Sequence, residues 1–471
     1  MTKGNNKRRI TGAMIACLLF FSVSQTVLAD TAEVAWGKSF KNDGIALERR
    51  INLSKDARVK EPSNRAKRRK AKGAAKGAFY DIRDISYWNR FSSRYYYQDL
   101  TEDEKKFYDA YCESLNEFLS SDIDAYQIQS VDENDQPATL YTTRMVNVPE
   151  SVSNERVDEI ATLLEYENPQ FFFHFSYAAH VSGTGDQKVD YVYPVVLDEF
   201  REGGVRMEAA YQIMELVEDY LAEAKAGKSI LEKESIVRKE IIEYVHYQYD
   251  ENGETNWENL YQTSASAILY GATVCAGYTK MFAMLMNALQ VPTISVTSLS
   301  HAWNEIQMDG KWYNVDLTWD DKDKNTDLDA TLVSQSKNRY FNISDNTLRQ
   351  RDDFSYHTGY YMHTPENFYT LRPACLKDYA VPKPVTCKLK KTGSGKMKIT
   401  ASAGGQIQGY QIFYKVGTKT KTIEAASTGA LSRTVGKLKK GKTVKVRLRT
   451  YLVIQGQKVY SVWTSYKKVK V

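Results

Sequence analysis

The chain reads HAWNEIQMDGKWYNVDLTW from His301 to Trp319. Two β-rich runs flank Asp309-Gly310, a two-residue link that favours a β-hairpin with a type I′ turn. Such a turn pairs Met308 with Lys311. Each step back along the first strand is then matched by one step forward along the second, so Gln307 would pair with Trp312. The turn alone therefore predicts the register of the hairpin.

This register places a histidine beside an acid. His301 would face Thr318 and Trp303 would face Asp316, so His301 and Asp316 become diagonal neighbours on one face, about 7 to 8 Å apart at the backbone. A carboxylate there can fix the tautomer and orientation of an imidazole and leave its other ring nitrogen free to serve a nucleophile. Each residue taken alone is better explained as an ordinary strand histidine or a surface acid.

A cysteine precedes the hairpin at the start of a predicted helix. The chain reads VCAGY from Val274 to Tyr278 and continues with apolar residues at helical spacing, namely Tyr278, Phe282, Leu285, Met286 and Leu289. Cys275 thus falls in the first helical turn, where unpaired N–H groups and the helix dipole favour a thiolate. Together, Cys275, His301 and Asp316 supply a nucleophile, a base and an orienting acid.

These motifs resemble the bacterial transglutaminase-like superfamily over about residues 236 to 360. The resemblance is carried by VCAGY, HAWN, GKWYNVDLTWD and the following YFNISD. It implies a papain-like core in which Cys275 is the nucleophile, His301 the general base and acid, and Asp316 its orienter. Ile242-Glu243 departs from the family, which often has a His-Asp pair in the preceding helix, and this puts any supporting role of that helix in doubt.

The resemblance implies acyl transfer at an amide or peptide bond. Cys275 would attack the carbonyl, His301 would protonate the departing amine, and a thioester would remain. Water would resolve the thioester by hydrolysis, whereas a lysine or another amine would form a cross-link. The same triad serves both reactions. We favour hydrolysis, as in a protease or amidase, because the sequence shows no feature of an acceptor site.

Charge is distributed in blocks along the 471 residues, although the 64 basic and 58 acidic residues nearly balance. Residues 1–29 hold four basic residues and an apolar run that ends in Val27-Leu28-Ala29, which predicts a signal peptide and a secreted or cell-surface location. Residues 30–76 hold 14 basic and 6 acidic residues, which gives a net charge of +8. Residues 77–380 hold 25 basic and 51 acidic residues, a net charge of −26. Residues 381–471 hold 21 basic residues and one acidic residue, a net charge of +20.

The predicted fold class is α+β. After the signal peptide we expect a basic flexible linker or pro-segment (30–78), an α+β N-terminal region (79–230) and the transglutaminase-like core (231–380). Short β runs separated by glycines then predict an all-β sandwich at 383–471. This module resembles fibronectin type III modules, although Val444 stands where a corner tyrosine is expected.

No cofactor or metal is predicted. The spacing of His174 and His180 matches no ligand motif, so both are interpreted as strand histidines; His246, His357 and His363 have no setting like that of His301. The acidic stretch that begins at Asp321 lacks the glycine and the glutamate of a calcium-binding loop. Four cysteines follow the signal peptide, and whether Cys375 and Cys387 pair is left open.

Two functions follow from these features. The first is an exported cysteine enzyme that acts on a protein or peptide substrate, with cell-wall peptides included. The alternative is a cell-surface or cell-wall binding protein in which the triad is inactive or secondary, since the +20 module is suited to anionic wall polymers. Neither function calls for nucleic acid or for a membrane span after removal of the signal peptide.

Overall fold

The computed structural model describes residues 26–28, 80–131, 137–182, 188–298, 301–322, 340–351, 354–357, 371–454 and 457–471. The predicted linker or pro-segment (30–78) and most of the predicted signal peptide lie outside these residues, as does the acidic stretch beyond residue 322. Helices and strands both make up large parts of the chain, so it belongs to the α+β class. In the described ranges, no helix combines the length and apolar character needed to cross a membrane.

The N-terminal part of the described chain combines five helices with a six-stranded sheet. Its elements are β1 (Thr26–Leu28), α1 (Ile85–Asn89), α2 (Glu102–Leu119), β2 (Tyr126–Val131), β3 (Pro137–Thr142), β4 (Val146–Asn147), α3 (Asn154–Glu167), β5 (His174–Ser182), β6 (Lys188–Val196), α4 (Gly203–Lys225) and α5 (Ile230–Tyr244). The strands follow the order β1-β5-β6-β3-β2, and β4 pairs with β6. Thr101 and Glu104 form a capping box at the start of α2.

The middle part carries the residues of the predicted triad. Its elements are β7 (His246–Tyr247), β8 (Ala272–Thr273), α6 (Cys275–Ala288), β9 (Thr293–Thr297), β10 (Ala302–Met308), β11 (Lys311–Val315), α7 (Leu317–Lys322), β12 (Phe341–Ile343) and α8 (Asp345–Leu348). A four-stranded sheet has the order β12-β11-β10-β9, while β7 and β8 form a short parallel pair. Apolar residues of α6 are buried together with residues of β9 and β10 in one core.

The hairpin of β10 and β11 has the predicted register. Met308 pairs with Lys311 and the ladder continues to Asn304 and Val315. Asp309 and Gly310 have φ values of 49° and 71°, as a type I′ turn requires. The prediction that strand pairing extends to Thr318 is wrong, because β11 ends at Val315 and Thr318 lies in α7.

A single cluster of buried apolar residues extends through the N-terminal and middle parts. It includes Leu115 of α2, Val217 of α4, Ile241 of α5 and Phe282 of α6. Lys280 of α6 adds a polar connection: its ammonium contacts Glu165 in α3 and lies 3.0 Å from the Gln262 carbonyl oxygen. The helix that begins with Cys275 is therefore anchored on both parts.

The C-terminal part consists of strands in two antiparallel sheets. They are β13 (Pro384–Gly393), β14 (Lys396–Ala403), β15 (Gly409–Val416), β16 (Lys419–Ala426), β17 (Leu431–Val435), β18 (Thr443–Ile454), β19 (Gln457–Tyr460) and β20 (Lys467–Lys470). One sheet has the order β13-β14-β17; the other has the order β16-β15-β18-β19, with β20 also paired to β18. Side chains such as Ile399, Ile412 and Val446 form a separate core here.

Candidate active site

Cys275 is the first residue of α6, as the sequence predicts. β8 leads directly into the helix, and Val274, in an extended conformation, is its N-cap. Gly277 allows a close approach in this turn, since a Cβ there would lie 1.8 Å from Thr273 Oγ1 and 2.8 Å from the Thr263 carbonyl oxygen. The thiol is buried, with 5% of the residue exposed. Neighbouring backbone thus fixes the position of the cysteine.

His301 immediately precedes β10 and points to Asp316. Its Nε2 lies 2.7 Å from Asp316 Oδ2, and the Ser298 N–H donates to the His301 carbonyl oxygen over 2.8 Å. The Cys275 thiol lies close enough to the same imidazole to contribute to the raised pKa of His301. Because Asp316 occupies Nε2, the ring nitrogen left for the thiol is Nδ1. The structure therefore brings the three sequence-predicted residues together.

Asp316 lies between β11 and α7 and has two structural roles. Its Oδ1 accepts the Trp319 N–H over 3.1 Å, which makes it the N-cap of α7. Its own N–H donates to the Tyr340 carbonyl oxygen over 2.9 Å. The cap explains why strand pairing stops before Thr318. It also leaves Oδ2 facing His301.

The charges of the pair stabilise each other. Burial by itself lowers the pKa of His301, but the charge and hydrogen bond of Asp316, followed by the interactions with Cys275, outweigh it and raise this pKa to about 10. Burial has the opposite effect on Asp316, yet the charges and hydrogen bonds of His301 and His357 hold the pKa of that carboxyl well below its usual range. At neutral pH the site therefore contains an imidazolium and a carboxylate.

His357 is a member of the cluster that sequence reasoning missed. The sequence gave it no setting like that of His301; in the structure its Nε2 lies 2.9 Å from the same Asp316 Oδ2. The residue is 1% exposed and ends a 3₁₀ turn, Phe354–His357. No spacing rule could have identified it, because it lies 41 residues from Asp316 and meets it only through the tertiary fold.

Aromatic side chains enclose the imidazole of His301. Trp303 stacks near it with a centroid separation of 6.2 Å, and Trp319 lies 6.1 Å away in an edge-on arrangement. The Trp303 indole N–H donates to Asn314 Oδ1 over 3.1 Å, and Asn314 in turn donates to Asp345 Oδ1 over 3.0 Å. This chain of bonds fixes the indole and with it one wall of the site.

The start of α6 offers a donor for a developing oxyanion. The N–H of Cys275, at the first helical position, has no acceptor within the helix, and the positive end of the helix dipole lies there. An oxygen that acquires negative charge next to Sγ would lie within reach of this N–H. The geometry thus suits attack by Cys275 on a carbonyl carbon.

Helix α5 supports the site, although Ile242-Glu243 stands where the sequence resemblance would lead one to expect a His-Asp pair. Arg238 donates from Nε to Asp320 Oδ2 over 2.9 Å, and both side chains are buried. Asp320 Oδ1 accepts the Tyr340 N–H over 3.0 Å. Glu234 accepts from Asn342 over 2.9 Å, and burial raises the pKa of Glu234 to about 8. These contacts hold α7 and β12 around Asp316.

Two groups of described residues have side chains of the types that bind metals and lie close together: His301 with Asp316 and His357, and Glu305 with Asp345 and Cys375. In the first group, Nε2 of His301 and Nε2 of His357 are both engaged in hydrogen bonds to Asp316 Oδ2. In the second, Arg372 contacts both Glu305 and Asp345 and supplies the positive charge. The predicted lack of a metal or cofactor stays a prediction.

The remaining cysteines and histidines have structural settings. All four cysteines that follow the predicted signal peptide are free, including Cys375 and Cys387. Burial raises the pKa of the Cys112, Cys375 and Cys387 thiols. His174 and His180 are strand histidines of β5, as predicted: His174 donates from Nδ1 to the Val195 carbonyl oxygen over 2.9 Å, and His180 stacks on Tyr191.

The chain matches no protein-family model and no curated protein. What the triad does must therefore be argued from its own geometry.

Proposed function

We propose that this protein is an exported, cysteine-dependent acyl-transfer enzyme that acts on amide or peptide bonds. The observation that carries the proposal is the 2.7 Å contact of His301 Nε2 with Asp316 Oδ2, beside a Cys275 thiol at the start of α6 that interacts with the same imidazole. Within this proposal, the middle part is a papain-like core of the transglutaminase type. Export rests only on the predicted signal peptide of residues 1–29, and removal of this peptide would also remove β1 (Thr26–Leu28), which pairs with β5.

The proposed reaction begins with the Cys275 thiolate. It attacks the amide carbonyl carbon, and the imidazolium of His301 transfers its proton to the departing amine as the carbon–nitrogen bond breaks. A thioester remains on Cys275 and His301 is neutral. His301 then removes a proton from water, which releases a carboxylic acid, or from an amine, which forms a new amide. We favour water as the acceptor, because no acceptor site for an amine is evident in the described residues.

Peptide release and incorporation of a fluorescent amine, measured side by side on cell-wall peptides and an unfolded protein, test this function. We expect release by the wild type and none by Cys275→Ala. Cys387→Ala is the matched control, because it removes a free thiol that lies far along the chain from the triad. Equal signals from wild type and Cys275→Ala would refute the proposal; amine incorporation in excess of release would make the enzyme a cross-linking one.

A second candidate function, attachment to anionic wall polymers, is favoured by one face of the C-terminal sheet. Lys415 pairs with Lys445, and Lys445 pairs with Lys468, so three like charges lie directly opposite one another on three strands. Such a row destabilises a sheet unless counter-charges compensate it. Arg447 and Arg449 continue the positive surface along β18, each 4.5 Å from the ring centroid of Trp463.

Full-length variants test this attachment. Lys415→Ala, Lys445→Ala and Lys468→Ala combined should lose most of the binding to purified cell walls and to inorganic polyphosphate. The control combines Lys388→Ala, Lys390→Ala and Lys398→Ala, which removes the same charge from exposed positions of the other sheet. Equal losses in the two variants would show that only net charge matters, and unchanged binding in both would remove this candidate.

A further inference from the structure

We propose that His357 is a positioning residue of this site, which holds the Asp316 carboxylate through a second imidazole hydrogen bond so that Asp316 keeps His301 directed at Cys275. The inference rests on the proposed acyl-transfer function. It extends the sequence-predicted triad to a fourth side chain.

Three donors converge on the Asp316 carboxylate. Oδ2 lies 2.7 Å from His301 Nε2 and 2.9 Å from His357 Nε2, while Oδ1 accepts the Trp319 N–H over 3.1 Å. With both oxygens engaged, rotation of the carboxylate would break at least one bond. His357 therefore restricts the group that orients His301, without touching the thiol itself.

Packing holds the His357 ring in place for this role. Tyr340 stacks on it with a centroid separation of 5.3 Å and an interplanar angle of 13°, and the Trp303 ring lies 5.0 Å away. The Ser298 hydroxyl donates to the Tyr356 carbonyl oxygen over 2.6 Å. Because the Ser298 N–H also bonds the His301 carbonyl, one serine connects the backbones next to both imidazoles.

The surroundings of His357 leave Nε2 as the ring nitrogen that donates to Asp316. Its Nδ1 is buried and has no hydrogen-bond partner among the described residues, so a proton there would be an unsatisfied donor. The titratable groups that face the ring are His301, at a centroid distance of 5.0 Å, Asp316 and Tyr340. The N–H at Nε2 donates to the same Asp316 oxygen that faces His301.

The test uses the rate at which iodoacetamide alkylates Cys275 in the full-length protein near neutral pH. His357→Phe keeps an aromatic ring between Tyr340 and Trp303 but removes the donor, whereas His357→Gln can place an amide N–H near the position of Nε2. A hydrogen bond to a charged group supports an effect of about tenfold. We expect His357→Phe to slow alkylation by about this factor and His357→Gln to recover most of the rate.

The pH dependence of alkylation separates positioning from simple stabilisation. In His357→Phe the acid side of the profile should move to higher pH, because a less ordered Asp316 supports the His301 imidazolium less well. A wild-type rate and profile in folded His357→Phe would overturn the proposal, as would equal slowing by Phe and Gln. If His357→Phe does not fold, the comparison is between His357→Gln and His357→Asn, whose side chain is shorter. Equal alkylation rates of Cys275 in these two variants would again overturn the proposal.

This test is independent of the substrate. Failure of peptide release together with the expected alkylation rates would contradict the proposed function and leave the positioning role supported. Peptide release that depends on Cys275 but not on His357 would support the proposed function and contradict the positioning role of His357. Cys112 and Cys375, both buried free thiols, serve as internal controls whose alkylation should stay slow in every variant.

Discussion

At the scale of single residues, the proton on His301 decides which step of the proposed reaction is possible. The raised pKa of His301, about 10, means that the imidazolium is present at neutral pH. Attack on a carbonyl needs the thiolate, whereas expulsion of the amine needs this imidazolium as an acid. The two steps should therefore respond differently to alkaline pH.

We predict that acyl transfer falls as the pH rises through about 10, since His301 then loses the proton that it delivers to the leaving amine. Alkylation of Cys275 needs no acid and should remain fast over the same range. Both rates can be measured on the wild type and on Asp316→Asn, in which the alkaline decline should move to lower pH because the carboxylate no longer supports the imidazolium. If acyl transfer declined at the same alkaline pH in Asp316→Asn as in the wild type, the decline could not be assigned to His301.

The residues that could be predicted are those whose positions local rules determine. Cys275 follows from helical periodicity, and the pairing of His301 with Asp316 follows from a two-residue turn. His357 could not be predicted, because its contact with Asp316 depends on how a distant 3₁₀ turn packs against Trp303 and Tyr340. Local patterns thus locate the three residues of the triad, but they do not locate His357, which also binds Asp316.

At the scale of elements, the start of α6 is more tightly constrained than its sequence suggests. Gly277 lies against Thr273 and Thr263, and the Thr273 hydroxyl donates to the Tyr261 carbonyl oxygen over 2.7 Å. A side chain at this position would have to displace backbone. Any such displacement would move Cys275, two residues earlier.

Gly277→Ala should therefore destabilise the protein by about 2 kcal/mol and slow the alkylation of Cys275, because its Cβ overlaps Thr273 Oγ1. Gly204→Ala in α4 is the matched control: a Cβ there meets no atom within 4 Å, so helix propensity predicts a gain of up to about 1 kcal/mol. Urea unfolding and the alkylation rate measure the two effects. Similar behaviour of the two variants would show that the close approach at Gly277 is unimportant.

The end of β11 shows where element boundaries escaped prediction. A β-rich run to Trp319 was expected to pair throughout, yet Asp316 caps α7 and ends the strand. The sequence did indicate a helix start at Asp316, because aspartate is a favoured N-cap residue. The β-rich pattern of the residues up to Trp319 favoured a continuing strand instead. The same side chain thus ends a strand, begins a helix and orients the imidazole.

At the scale of the whole molecule, the C-terminal module packs against the remainder of the chain. Leu452 of β18 is 1% exposed and belongs to the main buried cluster rather than to the core of the sandwich. Nearby, the Gln408 side-chain amide donates to Glu232 in α5 over 3.3 Å. The module and the part that carries the triad therefore share buried surface.

We predict that the wild type unfolds in one main calorimetric transition and that Leu452→Glu separates unfolding of the module from that of the triad-bearing part. The buried charge should cost about 3 kcal/mol at this contact. Val462→Glu is the control, because Val462 is 72% exposed and the same change there should leave the transition intact. Two separate transitions in the wild type would contradict the shared surface.

The burial of Cys275 also limits the shape of a substrate for the proposed reaction. Only 5% of Cys275 and 8% of His301 is exposed, so the rigid surface of a folded globule could not bring a carbonyl carbon into bonding distance of Sγ. A chain end, a long side-chain carboxamide or a slender, unfolded peptide could enter. Access to the thiol would thus exclude well-folded proteins from the proposed reaction before any chemical recognition takes place.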